Sequence, residues 1–341
     1  MPDQKPFLKT LRGEVLATPP VWLMRQAGRY LPEYRATRAQ AGDFKTMVYT
    51  PDYATEVTLQ PLRRFNFDAA ILFSDILTIP EALGRMVTFG KDHGPQLEPL
   101  TKLSDLRENL SHLDPVYAAV TSIRSALLRE GFEQTTLIGF AGAPWTVACY
   151  IVEGQGSKEF PLTRAMAYGR AEEFQALIDL LVDVTCVYLG RQIEAGAEVV
   201  QLFDSWAGLL PEDQFARWVI EPTRKIVAFL NTRYPHIPVI GFPRQAGTFY
   251  GRYVRETNVS AVGLDTQVSP SWAAAELQGL CPVQGNLDPF VLMAGGTPLD
   301  EAVDRITSTF AGRPYIFNLG HGIHKDTPPE HVAQLVKRIR A

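Results

Sequence analysis

Cysteine is scarce in this chain. Cys149, Cys186 and Cys281 are the only three among 341 residues, and no two stand at the close spacing of a zinc or redox motif. A disulfide scaffold and a Cys-ligated metal centre are thereby excluded, and the three are read as free, mostly buried thiols. Long apolar runs are missing as well: none approaches the roughly 18 residues that span a bilayer, and MPDQKPFLKT has no hydrophobic centre for a secretory signal. A cytoplasmic protein with no membrane partner is expected. Positive charge is not in excess either. A formal net charge of −4 argues against general affinity for nucleic acid or anionic lipid, so any basic site must be local. Internal repeats, low-complexity tracts and Ser/Gly linkers are absent, which favours one domain over residues 1–341.

What is there is a recurring unit. Eight short β-rich runs occur, each followed by a segment with helical periodicity or helix-starting residues. They are VWLMR (21–25), AAILF (69–73), TLIGFAG (136–142), VVQLFDS (199–205), PVIGF (238–242), AVGLD (261–265), PVQGNLD (282–288) and YIFNLGH (315–321). Several are apolar almost throughout, as strands are when helices cover both faces of a parallel sheet. Eight such units predict an α/β fold of the (β/α)8 TIM-barrel type. Residues 1–18 read as an N-terminal extension, and MVTFGKDHGPQLE (86–98) as a small hairpin inserted after the second strand. A doubly wound open sheet is the alternative. It calls for a glycine-rich phosphate loop after the first strand, and RQAGRYLP does not supply one.

Barrel enzymes carry their chemistry just past the carboxyl ends of the strands, so those positions are the candidates for a site. The first run delivers Arg25, Gln26 and Arg29 around Gly28; the second Ser74 and Asp75; the third leads through Trp145 to Tyr150. The later runs end in Asp204 and Ser205, Arg244, Asp265, Asn286 with Asp288, and His321. For two guanidinium groups four residues apart a solvated turn with partners such as Glu33 is the plain account, but their place at a barrel mouth, where Arg forks suit carboxylate or phosphate, tips the balance towards an anionic ligand. Asp75 emerges from an apolar strand, where a carboxylate is costly unless paired; a salt bridge to Arg25 or Arg29 competes with a catalytic role. Tyr150, Ser205 and His321 carry groups that orient a ligand or satisfy buried backbone. Arg244, Asp265 and Asp288 read as residues that fix loops.

Taken together these residues resemble a known family. PVWLMRQAGRYLPEYR and GFAGAPWTVACYIVEG are similar to the two signatures of the uroporphyrinogen decarboxylases, and DAAILFSDIL, QLFDSWAG, QGNLDP and FNLGHGI match the family's pattern in the same order, from about Pro6 to the end. The resemblance implies a cytoplasmic homodimer on a (β/α)8 barrel, free of cofactor and metal, that removes CO2 from the four acetates of uroporphyrinogen III to give coproporphyrinogen III. It implies a substrate-binding set of Arg25, Gln26, Ala27, Gly28, Arg29, Asp75, Tyr150, Ser205 and His321, with Asp75 as the essential carboxylate. The chain departs from the family's usual residues at Gln155, Thr266, His324 and Lys325, all in loops.

The chemistry makes sense of that set. A substrate with eight carboxylates explains local arginines in an acidic protein, since one ion pair at 4 Å contributes about 4 kcal/mol at an effective dielectric near 20. Decarboxylation leaves an electron pair that a pyrrole, once protonated on its ring, can take up itself. The costly species is then a cation, and an ionised Asp75 would stabilise it without moving a proton. On this reading Asp75, Arg25, Tyr150 and His321 form the catalytic group, with Arg25 and Arg29 anchoring side chains and Tyr150 and His321 positioning polar edges. Two other readings compete. A barrel methyltransferase needs zinc ligands at close His and Cys spacing, which this sequence lacks. A porphyrinogen carrier would keep the arginines and lose Asp75.

Overall fold

The computed structural model describes residues 4–89 and 94–341, with the side chain of Phe89 excepted. Seven parallel strands make one sheet: β1 (Ala69–Ile71), β4 (Thr136–Gly142), β5 (Val199–Asp204), β6 (Val239–Pro243), β7 (Ala261–Gly263), β8 (Val283–Leu287) and β9 (Tyr315–Leu319), hydrogen-bonded in that order. Helices follow most of them, among them Pro144–Glu153 after β4 and Glu221–Arg233 after β5. The sequence's strand runs therefore match the sheet at seven of eight places.

The eighth, VWLMR, does not become a strand. Val21 makes a single parallel bridge to Phe317, while the carbonyls of Pro20 and Val21 accept from the amides of Phe317 and Asp68, each at 2.9 Å. Prolines 19 and 20 precede the run, and Arg25, at φ 62°, turns the chain after it. Between them the amides of Val21, Leu23 and Met24 are taken by the side chains of Asp68, Gln26 and Asn318 at 2.8, 3.1 and 3.0 Å. Donors spent on side chains cannot build a ladder, so the segment keeps a strand's place with one bridge.

Register explains the core. Parallel partners share a face, and the pairs Ile138↔Val199 and Ile240↔Ala261 join Ala69, Ile316, Trp22 and Met24 in one cluster on the concave side of the sheet. Phe7, Leu8 and Leu11 of the N-terminal helix Pro6–Leu11 belong to it too. Lys5, wholly inside, donates to the Thr135 carbonyl at 2.8 Å and to Glu198 at 2.7 Å, the residues that precede β4 and β5. The extension thus plugs the amino ends of the strands and leaves the carboxyl ends open.

Two short antiparallel strands, β2 (Val87–Phe89) and β3 (Pro95–Leu97), follow β1; residues 90–93 of the expected hairpin lie outside the described residues. This pair folds over the carboxyl-end face. The Leu97 amide donates to the Gly154 carbonyl at 2.7 Å, and Val87 and Leu97 pack with Leu77 and Tyr150. Gly154 is required here. Its φ is +78° and a Cβ would come within 2.6 Å of Pro99.

Candidate active site

The open carboxyl-end face collects most of the strand-end residues. Arg25 occupies the left-handed region at φ 62°, a conformation that costs a non-glycine residue roughly 1–3 kcal/mol and so needs support. Support comes from the loop after β9. The Ile323 amide donates to the Met24 carbonyl at 2.9 Å, and the Arg25 stem lies over Gly322, where a Cβ would stand 2.3 Å from Arg25 Cδ. Gly322 therefore makes the space that lets Arg25 lean into the mouth.

Asp75 lies beyond β1 and is half-buried. Its Oδ1 accepts from the Leu77 amide at 2.8 Å, and its other oxygen takes no hydrogen bond from the described residues. Burial pushes its pKa up to about 6; the hydrogen bond and the Arg25 charge pull the other way, and Glu81 adds to the rise. Arg25 is close enough to act on Asp75 but makes no ion pair with it within 4 Å, so the salt-bridge alternative does not hold among the described residues. Tyr150 is 9% exposed, and burial raises its pKa, with Asp75 adding to the rise and Arg25 opposing it. Trp206 backs it at 6.4 Å between ring centres.

His321 completes the group from β9. Burial, then the charges of Arg25 and Arg244, hold its pKa down to about 4. The ring is neutral at physiological pH, presenting one donor and one acceptor rather than a cation. Ser205 is half-buried at the end of β5, and its carbonyl accepts from Arg244 Nη1 at 3.4 Å. Ala27 and Gly28 form the half-buried turn between the arginines, Gly28 so close that a Cβ would meet the Arg25 carbonyl at 3.0 Å. Arg29 is exposed at the outer rim, and its charge acts on Tyr34.

Gln26 keeps its side chain out of the mouth. Expected at the ligand, its side chain is fully buried, Oε1 accepting from the Leu23 amide and Nε2 donating to the Ala69 carbonyl, each at 3.1 Å. It braces the bridge segment against β1. Other residues were missed. Ile71 and Phe203 keep exposed surface toward the mouth, and Phe203 packs edge-on between Phe140 and Phe242 at 5.5 and 5.9 Å, an apolar floor. Counting alternation back from Ser205 finds Phe203 on the same face. The same count turns Asp204 outward, where it is 2% exposed and accepts from Thr146 Oγ1 at 2.5 Å. Burial raises its pKa to about 7. Asp265 and Asp288 do fix loops: Asp265 accepts from the Gln245 amide and the Tyr250 hydroxyl at 2.6 and 2.9 Å, and Asp288 caps the helix Pro289–Ala294.

The arrangement sets a half-buried carboxylate with one oxygen free beside Arg25, over an apolar floor. Comparison with known proteins gives it a family. The profile of the uroporphyrinogen decarboxylase family matches residues 2–341.

The chain belongs to the uroporphyrinogen decarboxylase family.

Among its relatives, the uroporphyrinogen decarboxylases of Rhodospirillum rubrum and Rhizorhabdus wittichii are each 54% identical over 99% of this chain and 97% and 98% of theirs. That of Granulibacter bethesdensis is 54% identical over 98% of this chain and 99% of its own. Among solved structures, a methyltransferase from Methanosarcina mazei superimposes with a TM-score of 0.81 at 18% identity, covering 98% of this chain and 96% of that one. At that identity the likeness is one of fold. Among the described residues no three His, Cys, Asp or Glu side chains gather as metal ligands would, and no helix is long and apolar enough to cross a membrane.

Proposed function

We propose that this member of the uroporphyrinogen decarboxylase family converts uroporphyrinogen III to coproporphyrinogen III, releasing CO2 from four acetate side chains. The observation that carries the proposal is Asp75, with one oxygen free, and the Arg25 charge near enough to act on it without an ion pair, Gly322 making room for the Arg25 stem. The macrocycle lies against the floor of Ile71 and Phe203, with its pyrrole N–H groups toward Asp75. A proton added to the ring carbon beside an acetate makes the ring a cation. The C–C bond to the carboxylate then breaks, CO2 leaves, and its electron pair returns to the ring as an exocyclic methylene. Protonation of the methylene and loss of the ring proton leave a methyl group, one proton consumed per CO2. The ionised Asp75 stabilises the cation at both stages. Arg25 and Arg29 hold carboxylates on one arc of the rim, and the turn at Ala27 and Gly28 keeps the backbone low beneath them. Neutral His321, Tyr150 and Ser205 orient the polar edges.

The proposal extends to architecture and assembly. The segment 20–24, bonded on one side to β9 and on the other to the residue before β1, serves as an eighth strand and closes the sheet into a single-domain barrel. The two-strand hairpin is an insertion covering Tyr150. The enzyme works in the cytoplasm as a homodimer without a cofactor. Anaerobic incubation with uroporphyrinogen, followed by chromatographic counting of carboxyl groups on the oxidised products, tests the activity: tetracarboxylate product is expected, and octacarboxylate alone returned after prolonged incubation refutes it. Stoichiometric zinc in the purified protein would favour the methyltransferase reading instead. Sedimentation tests the dimer.

A further inference from the structure

The arginines that the sequence singles out come from one side of the mouth. Arg25 and Arg29 both follow the bridge segment, which lies between β9 and β1. A flat macrocycle carries carboxylates around its whole circumference, so one arc of the rim cannot neutralise them all. In the sheet order β1, β4, β5, β6, β7, β8, β9, three strands separate β6 from the bridge segment in either direction, which makes it the diametrically opposite position. Arg244 is the residue that immediately follows β6.

Its surroundings suit an anion. Arg244 is half-buried and makes no ion pair within 4 Å among the described residues; its guanidinium has one long hydrogen bond, 3.4 Å from Nη1 to the Ser205 carbonyl. A partly desolvated cation without an acid is costly unless a ligand supplies the charge. The loop that carries it is rigid. The Arg244 amide donates to the carbonyls of Asp204 and Phe242 at 3.0 and 3.1 Å, and the Gln245 amide to buried Asp265 at 2.6 Å. Gln245 itself sits at φ 63°, and Gly208 of the neighbouring loop is so close that a Cβ would meet the Gln245 carbonyl at 2.3 Å. The side chain reaches inward as well, since its charge acts with that of Arg25 on His321.

We infer that Arg244 binds a carboxylate on the arc of the macrocycle opposite Arg25 and Arg29, and so sets the preference for highly carboxylated tetrapyrroles. The inference deepens the reading of the site given above and rests on it. Steady-state kinetics of Arg244→Gln with uroporphyrinogen, alongside fluorescence titration of the oxidised octacarboxyl and tetracarboxyl porphyrins, gives two separate readouts. Expected are a KM raised tenfold or more with kcat within threefold, octacarboxyl binding weakened more than tetracarboxyl, and recovery to within threefold of the parent KM in Arg244→Lys. Arg233→Gln removes the same charge from an exposed position at the far end of the helix before β6, and its KM should not move. An unchanged KM in Arg244→Gln, with or without a lower melting temperature, makes Arg244 a staple for Ser205 and overturns the inference. So does an equal rise in the Arg233 control. If the parent binds porphyrin but removes no carboxyl group, the proposed reaction fails while the titrations still decide Arg244; if the parent binds neither porphyrin, both fall.

Discussion

Replacing Asp75 by asparagine separates what the carboxylate does for the reaction from what it does to the fold. Its pKa is raised from an ordinary 3.8 to about 6. A folded chain that binds the proton more tightly than the unfolded one gains stability as pH falls from about 6 towards 4 and loses it as pH rises through that window. Holding the ionised form at pH 8 therefore costs about 3 kcal/mol at most, from two pKa units at 1.36 kcal/mol each. The partial exposure of Asp75 makes this an upper limit. Asparagine keeps an oxygen for the Leu77 amide and carries no charge, so the variant should be more stable than the parent at pH 8, by up to about 3 kcal/mol, and equal to it near pH 4. Turnover should move the other way. A carboxylate some 5 Å from the ring cation is worth about 3 kcal/mol at an effective dielectric near 20, so kcat should fall by about 10²-fold. In the parent, kcat/KM should drop below about pH 6 as Asp75 takes up its proton. Urea unfolding at the two pH values and anaerobic turnover test the two halves. Turnover within about threefold of the parent, a loss under about 0.7 kcal/mol, refutes the catalytic role. A variant less stable than the parent at pH 8 refutes the electrostatic argument.

Asp204 should show the stability half of this behaviour more strongly, because burial lifts its pKa to about 7 with Thr146 as its hydrogen-bond partner. Asp204→Asn is expected to raise unfolding free energy at pH 8.5 by up to about 4 kcal/mol and to change it little at pH 4; the same gain at both pH values would contradict the assignment. Gly322→Ala should displace Arg25, since the new Cβ falls 2.3 Å from Arg25 Cδ, and raise KM at least tenfold while the melting temperature stays within a few degrees. An unaltered KM would show that Arg25 does not depend on that space. His321, with its pKa held near 4, should show no titration between pH 5.5 and 8 in the ring-proton NMR spectrum; a midpoint between 6 and 7 would mean that neither burial nor the neighbouring cations hold the ring neutral.

Apolar runs with both faces covered announce themselves without any knowledge of neighbours, which is why seven strands were legible within a few residues. VWLMR failed for a reason that lies in its partners: Asp68, Gln26 and Asn318 take the amides that a ladder needs, and two of those three are distant in sequence. The site divides along the same line. Arg25, Asp75, Tyr150, Ser205 and His321 follow directly from strand ends and family signatures. Gln26 sits inside the same signature, yet its side chain turns to the Ala69 carbonyl, a direction that spacing alone does not give. Arg244 lies at a strand end but in no family motif, and Phe203, inside QLFDSWAG, has no polar group to mark it; what surrounds each comes from register between strands.

The order of residues determined this protein's family, its succession of strands and helices, and the identity of the carboxylate and arginines, because local polarity and motif are properties of neighbours along the chain. Tertiary structure alone decided which strand-end groups share one cavity, how far burial shifts Asp75, Asp204 and His321, and that Gly322 clears room for Arg25. Those depend on distances and solvent exclusion between segments from about fifty to three hundred residues apart, and only packing sets them.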